Sequence, residues 1–146
     1  MPAIYTTEWY EALQKLINSK EEISSRAPKG AWVAIVEMHG DDVSPYLGSD
    51  EVRKFAIRIE DGVCVWYKEV DDEEGLDLDY RFVGSAGVFD EVAANAVDPI
   101  DAGLDGRIKI RGDMRFLLRQ AELVKEVLDI YTAELDTDWP KGKPPY

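Results

Sequence analysis

Side chains that do chemistry are scarce in this chain, and their spacing narrows the choice further. Histidine and cysteine each occur once, as His39 and Cys64. Zinc and copper sites draw several ligands from these two types, so neither residue founds a transition-metal site. Their spacing gives no support to a Cys–His nucleophilic pair. His39 ends an apolar run and reads as a surface residue. Cys64 alternates within a strand pattern, where a free thiol behaves as a small buried hydrophobe. The acidic runs Asp41-Asp42 and Asp71 to Glu74 lack the Asp-x-Asp-x-Asp-Gly register that wraps calcium, and read as solvated loops. Gly84-Ser85-Ala86-Gly87 lacks the Gly-Lys-Ser/Thr of a phosphate loop and the residue order of a nucleophile elbow, so it reads as a strand-to-helix turn. Arg111-Gly112-Asp113 spells an integrin-binding tripeptide by coincidence. No catalytic residue, no metal and no cofactor is expected, hence a protein that is not an enzyme.

The elements follow from periodicity. Thr7, with Glu8 and Glu11 behind it, suits a helix start, and Trp9, Leu13, Leu16 and Ile17 recur at helical spacing until Ala27-Pro28-Lys29-Gly30 ends the pattern. Ala31 to Met38 is mostly apolar and predicts a central strand covered on both faces. Phe55, Ile57 and Ile59 alternate with polar neighbours, Asp61-Gly62 supplies a hairpin turn, and Val63, Val65 and Tyr67 continue the alternation. A fourth strand spans Leu76 to Phe82. A helix follows with Val88, Phe89, Val92, Ala93 and Ala96. Asp98 and Pro99 open a short helix that Gly103 and Gly106 break. Arg107 to Arg111 alternates as a strand, and Asp113 caps a last helix to about Leu135. That helix carries Phe116, Leu117, Val124, Leu128 and Tyr131, widened by Leu118, Leu123, Val127 and Ile130, so a second apolar face must meet something. Asp136 to Tyr146, with its prolines, is expected to be a loosely ordered C-terminal tail beyond a single domain at 1–135.

Composition sets outer limits. The chain of 146 residues is long enough for one domain with a real core, and its 45% apolar content is ordinary. A net charge of -13 repels phosphate backbones and anionic lipid surfaces, so no nucleic acid and no stable membrane insertion are expected. A single cysteine, no signal-peptide pattern at Met1 to Tyr5 and no long apolar run predict a cytoplasmic protein.

Several segments together resemble the sterol carrier protein type 2 (sterol-binding domain) family, in its stand-alone prokaryotic form. They are the hairpin Ile59-Glu60-Asp61-Gly62-Val63, the strand ending Val83-Gly84-Ser85, and Asp98-Pro99 followed by Gly106-Arg107-Ile108-Lys109-Ile110-Arg111-Gly112-Asp113. The similar region runs from about Ala31 to about Tyr131. The resemblance implies an α+β fold (α/β sandwich): a five-stranded, mostly antiparallel sheet with helices packed over one face, enclosing an apolar tunnel. It also implies non-enzymatic binding or transfer of a hydrophobic ligand: a fatty acid, sterol, isoprenoid or other lipid. Alternation and helical spacing nominate Phe55, Ile57, Phe82, Phe89, Val92, Phe116, Leu117, Val124, Leu128 and Tyr131 to line that tunnel. Acyl-CoA needs a basic mouth, for which only Arg115 and Arg119, or the Arg107-Lys109-Arg111 face, are available; fatty acid or neutral lipid is favoured. The alternative is an accessory module that docks on a partner enzyme of lipid or isoprenoid metabolism, using exposed aromatics such as Trp66 and Trp139. Either a homodimer or a partner enzyme is compatible with both.

Overall fold

The computed structural model describes residues 2–21, 25–27, 29–71, 78–120, 122, 126 and 134–146. Helix α1 spans Thr7–Asn18. Strands β1 (Ala31–His39), β2 (Val52–Glu60), β3 (Val63–Val70) and β4 (Tyr80–Ser85) follow, then α2 (Ala86–Ala93), α3 (Pro99–Leu104), β5 (Lys109–Arg111) and α4 (Met114–Arg119). The five strands form one mixed sheet in the order β3-β2-β1-β4-β5. Only β1 and β4 run parallel, with α2 leaving the sheet directly from β4; the other three pairings are antiparallel. The expected architecture, a five-stranded sheet with helices over one face, is the observed one. Among the described residues no helix is long and apolar enough to cross a membrane.

Local chemistry explains most of the element ends. Asp61 and Gly62 have φ of 48° and 83°, the paired left-handed conformations that let a two-residue turn match the strand twist. Asp98 accepts a hydrogen bond from the Ile100 N–H at 2.8 Å with Pro99 behind it, and Asp113 accepts from Phe116 N–H at 3.1 Å. Each cap thus satisfies an N–H that the helix itself leaves without a partner.

Six boundaries differ from expectation. The α1 cap is Thr6, whose hydroxyl accepts from Trp9 N–H, and Thr7 is already helical. The helix stops at Asn18, well before Pro28, because the Asn18 amide turns to β3: its Oδ1 accepts from Cys64 N–H at 2.8 Å and its Nδ2 donates to Cys64 O at 3.0 Å. That pair covers an exposed strand edge at the site where a bulge shifts the β2–β3 register. The fourth strand begins at Tyr80, since Asp79 bends the chain and exchanges hydrogen bonds with Val33, backbone N–H to Val33 O and carboxylate to Val33 N–H. Finally, α3 runs through Gly103, β5 is limited to Lys109–Arg111, and α4 turns at Gln120, with Glu122 and Glu126 again helical.

Helices α1, α2 and α3 pack on the side of the sheet that carries Phe55 and Phe82. The strand register places Val36 between Phe55 of β2 and Phe82 of β4, and Ile110 of β5 beside Phe82. Helix α1 adds Trp9, Tyr10 and Leu13 to this side, and Ile17 is buried as well. Tyr10 packs against both Phe55 and Tyr67, with ring centroids 4.9 Å apart in each pair. Trp9, Tyr10, Leu13, Met38 and Phe55 belong to one core cluster with Val36 beside it; Val92, Ala102 and Ile108, with Phe82 and Ile110, make a second, and Phe89 of α2 touches both.

Candidate functional site

The nominated apolar residues come together in part. Phe55 and Val92 are buried, and Ile57, Phe82 and Phe89 are half-buried on the helix side of the sheet. Phe116 and Leu117 are half-buried in α4, whereas the neighbouring Leu118 is exposed. Val124, Leu128 and Tyr131 lie outside the described residues, as do Leu123, Val127, Ile130 and Leu76. Sequence reading left out Val36, which the register seats between Phe55 and Phe82. A depression of about 550 Å³ also runs along α1, but Glu11, Gln14, Lys15, Asn18 and Ser19 line it, so its walls are polar.

A second, polar centre adjoins the first through α2. Ala86, Phe89, Asp90 and Ala93 fall on one stripe of this helix, at the spacing that faces a core. Asp90 is therefore carried inside and is fully buried. Its contacts are hydroxyls. Tyr5 donates to Oδ1 at 2.6 Å, Tyr146 donates to Oδ2 at 2.7 Å, and the Ser44 hydroxyl donates as well. Burial pushes the Asp90 carboxyl above the usual aspartate range; the three hydroxyls oppose this and the Asp41 charge reinforces it.

Asp41 behaves in the opposite way. Burial works against its charge, but backbone N–H groups of Ser44, Gly87 and Val43 and the Ser85 hydroxyl outweigh that and hold its pKa below the usual value. A Cβ at Gly87 would stand 2.8 Å from Asp41 Oδ2, the oxygen that accepts from the Gly87 N–H at 2.9 Å, so a larger residue there would push this carboxylate aside. Tyr5 has φ of 63°, and this strained turn is held by Arg53, which donates to Tyr5 O at 3.0 Å while Glu69 grips the same guanidinium. The signal missed in the sequence was Asp90 itself, a charge in an otherwise apolar helix stripe.

The segment 134–146 is packed, contrary to the expected loose tail. Ala3 and Asp138 form a parallel bridge, Trp9 Nε1 donates to Thr137 Oγ1 at 3.0 Å, and the Tyr46 hydroxyl donates to Gly142 O at 2.6 Å. Trp139 packs against Tyr46, and Trp66 lies under Lys68. Both tryptophans are half-buried, so neither is the exposed docking aromatic that was expected. His39 is exposed and pairs with Glu37 at 2.7 Å. Cys64 is buried, which pushes its thiol up to about 11 and leaves it inert at neutral pH.

This five-stranded mixed sheet with helices packed on it has the fold of sterol carrier protein 2. A crystal structure of sterol carrier protein 2 superposes with a TM-score of 0.74 at 18% identity, covering 89% of this chain and 98% of that one. The solution structure of a conserved hypothetical protein from Thermus thermophilus gives 0.75 at 18% identity, covering 97% and 96%. Sterol carrier protein-2 like-3 from Aedes aegypti gives 0.50 at 15% identity, covering 80% and 95%. The sequence itself matches no protein-family model and no curated protein.

Proposed function

We propose that this chain binds and carries an apolar small molecule between the sheet and its helices, without transforming it. The observation that carries the reading is the likeness to sterol carrier protein 2 along nearly the whole of both chains. It is supported by the layer Phe55, Val36, Phe82 and Phe89, which gives a hydrocarbon chain an apolar surface on which to leave water. Each CH₂ so buried contributes about 0.8 kcal/mol, so chain length alone yields useful affinity. Phe116, Leu117, Val124, Leu128 and Tyr131 are proposed as the facing wall. The purified protein, extracted under denaturing conditions, is expected to release a stoichiometric lipid by mass spectrometry and to bind a fluorescent lipid probe. Absence of both, with a single protein recovered in a stoichiometric pull-down, would instead favour the accessory module.

A further inference from the structure

We propose that the Asp90 carboxyl is a recognition point for a ligand hydroxyl, and that Tyr146 is its internal occupant. The ligand class is then an apolar molecule ending in an alcohol or phenol rather than a carboxylate. This deepens the carrier reading and rests on it. Asp90 is fully buried, yet among the described residues no cation pairs with it. Arg53, the guanidinium that holds Tyr5 O, is committed to Glu69. A fold needing only stability is better served there by an apolar side chain, because a buried carboxyl lacking a counter-ion is destabilising. What the site holds instead is a set of hydroxyl donors converging on one carboxyl.

The three donors are unequal. Tyr5 and Ser44 are buried, 5% and 6% exposed, whereas Tyr146 is 52% exposed with only its hydroxyl reaching inward. Its segment is tied down by Thr137, Asp138 and Gly142, and Pro144 is buried, so turning the exposed Tyr146 side chain alone frees Asp90 Oδ2. A ligand hydroxyl arriving there replaces the phenol one hydrogen bond for one, and the apolar body supplies the net gain. Phe89, the residue before Asp90, touches both apolar clusters, so a molecule anchored at Asp90 has apolar surface beside it. A fatty-acid carboxylate meets the reverse situation. It would join Asp41 and Asp90 as a third acid.

The test is displacement of a bound fluorescent fatty-alcohol probe by hexadecanol and by hexadecanoate at neutral pH, on the full chain and on Tyr146→Ala, Tyr146→Phe and Asp90→Asn. Hexadecanol is expected to compete about tenfold better than hexadecanoate, a difference of one ordinary hydrogen-bonded group. Tyr146→Ala and Tyr146→Phe should each strengthen hexadecanol by about threefold or more, because the internal hydroxyl competitor is gone. Asp90→Asn should bring the two competitors within about twofold of each other. Thermal unfolding of each variant shows whether it is folded, and the two Tyr146 variants keep the test valid if Asp90→Asn is not. Equal competition by alcohol and acid overturns this inference while leaving the carrier reading standing. So does a Tyr146 variant that loses stability without changing either affinity, which makes the tail contact structural only. A chain that binds neither the probe nor a fluorescent fatty acid overturns the carrier reading as well.

Discussion

The two faces of the sheet are built from the same strands by alternation, and they differ in how each handles charge. The helix-facing side presents Ala34, Val36, Met38, Phe55, Ile57, Tyr80 and Phe82, with Arg53 and Glu69 as a charged pair. The other side carries Lys54, Arg58, Lys68, Arg81, Lys109 and Arg111 against Glu37 and Glu60, in a chain whose net charge is -13. On this side charges are answered along or across strands. Arg81 donates to Glu37 at 2.8 Å and Arg58 to Glu60 at 2.6 Å. Val33, Ile35 and Ala56 are nevertheless buried there, with Arg58, Arg81 and Lys68 as register neighbours whose long stems can shelter them. On the helix side the one buried acid, Asp90, is answered by hydroxyls. The contrast teaches that the exposed charges of both faces are answered by opposite charges, whereas the acid buried on the helix side is answered by neutral donors.

The division is broken most directly at Phe55. Phe55→Ala is expected to destabilise the protein by about 3–5 kcal/mol in urea titration, the usual range for a deleted core aromatic. Its ring meets Tyr5 and Tyr10, and a cavity there is not easily refilled. Ala at Arg58, on the opposite face, should cost no more than about 1 kcal/mol. Similar losses at the two positions would end the distinction between the faces.

Asp90 and Asp41 sharpen the comparison through opposite pH dependences. With its pKa raised on folding, Asp90 holds its proton longer in the native state than in the unfolded chain. Stability from this group is therefore largest in acid, below the ordinary aspartate pKa, and is lost as pH rises through the raised value. Asp41, with a lowered pKa, contributes above its ordinary pKa and loses that contribution as pH falls through the lowered value. Stability curves of Asp90→Asn and the parent chain should thus diverge in the variant's favour as pH rises toward neutrality, measured by urea titration at successive pH values. A difference independent of pH would show that burial does not perturb Asp90.

How much of this was legible beforehand depends on the range of the interaction. The Asp61-Gly62 turn and the Asp98 and Asp113 caps depend on adjacent residues, and each sits where spacing puts it. The end of α1 does not, since Asn18 stops the helix by pairing with Cys64, far along the chain. Leu78 continues the alternation of the fourth strand but stays outside it, because Asp79 is held by Val33 on a neighbouring strand. Apolar lining residues such as Phe55 and Phe82 could be nominated from alternation, whereas Val36 needed the register to place it between them. The Asp90 centre draws Tyr5, Ser44 and Tyr146 from three distant segments. Only its misplaced charge was visible in one dimension.

Two smaller effects probe the open face. Glu37 and Arg81 are 19% and 26% exposed at the side chain, so their pair is better sheltered than an ordinary surface bridge. A double-mutant cycle with Glu37→Gln and Arg81→Met should return a coupling of about 1 kcal/mol; a value near zero would make this face merely solvated. The least effect belongs to Lys68, whose ammonium stands 4.7 Å from the Trp66 ring centroid. Lys68→Ala should cost about 0.5–1 kcal/mol, and Lys68→Arg should recover most of it because a guanidinium also binds a ring face. Loss in both variants would mean that the ammonium's particular geometry, rather than positive charge over an aromatic, holds this edge of the sheet together.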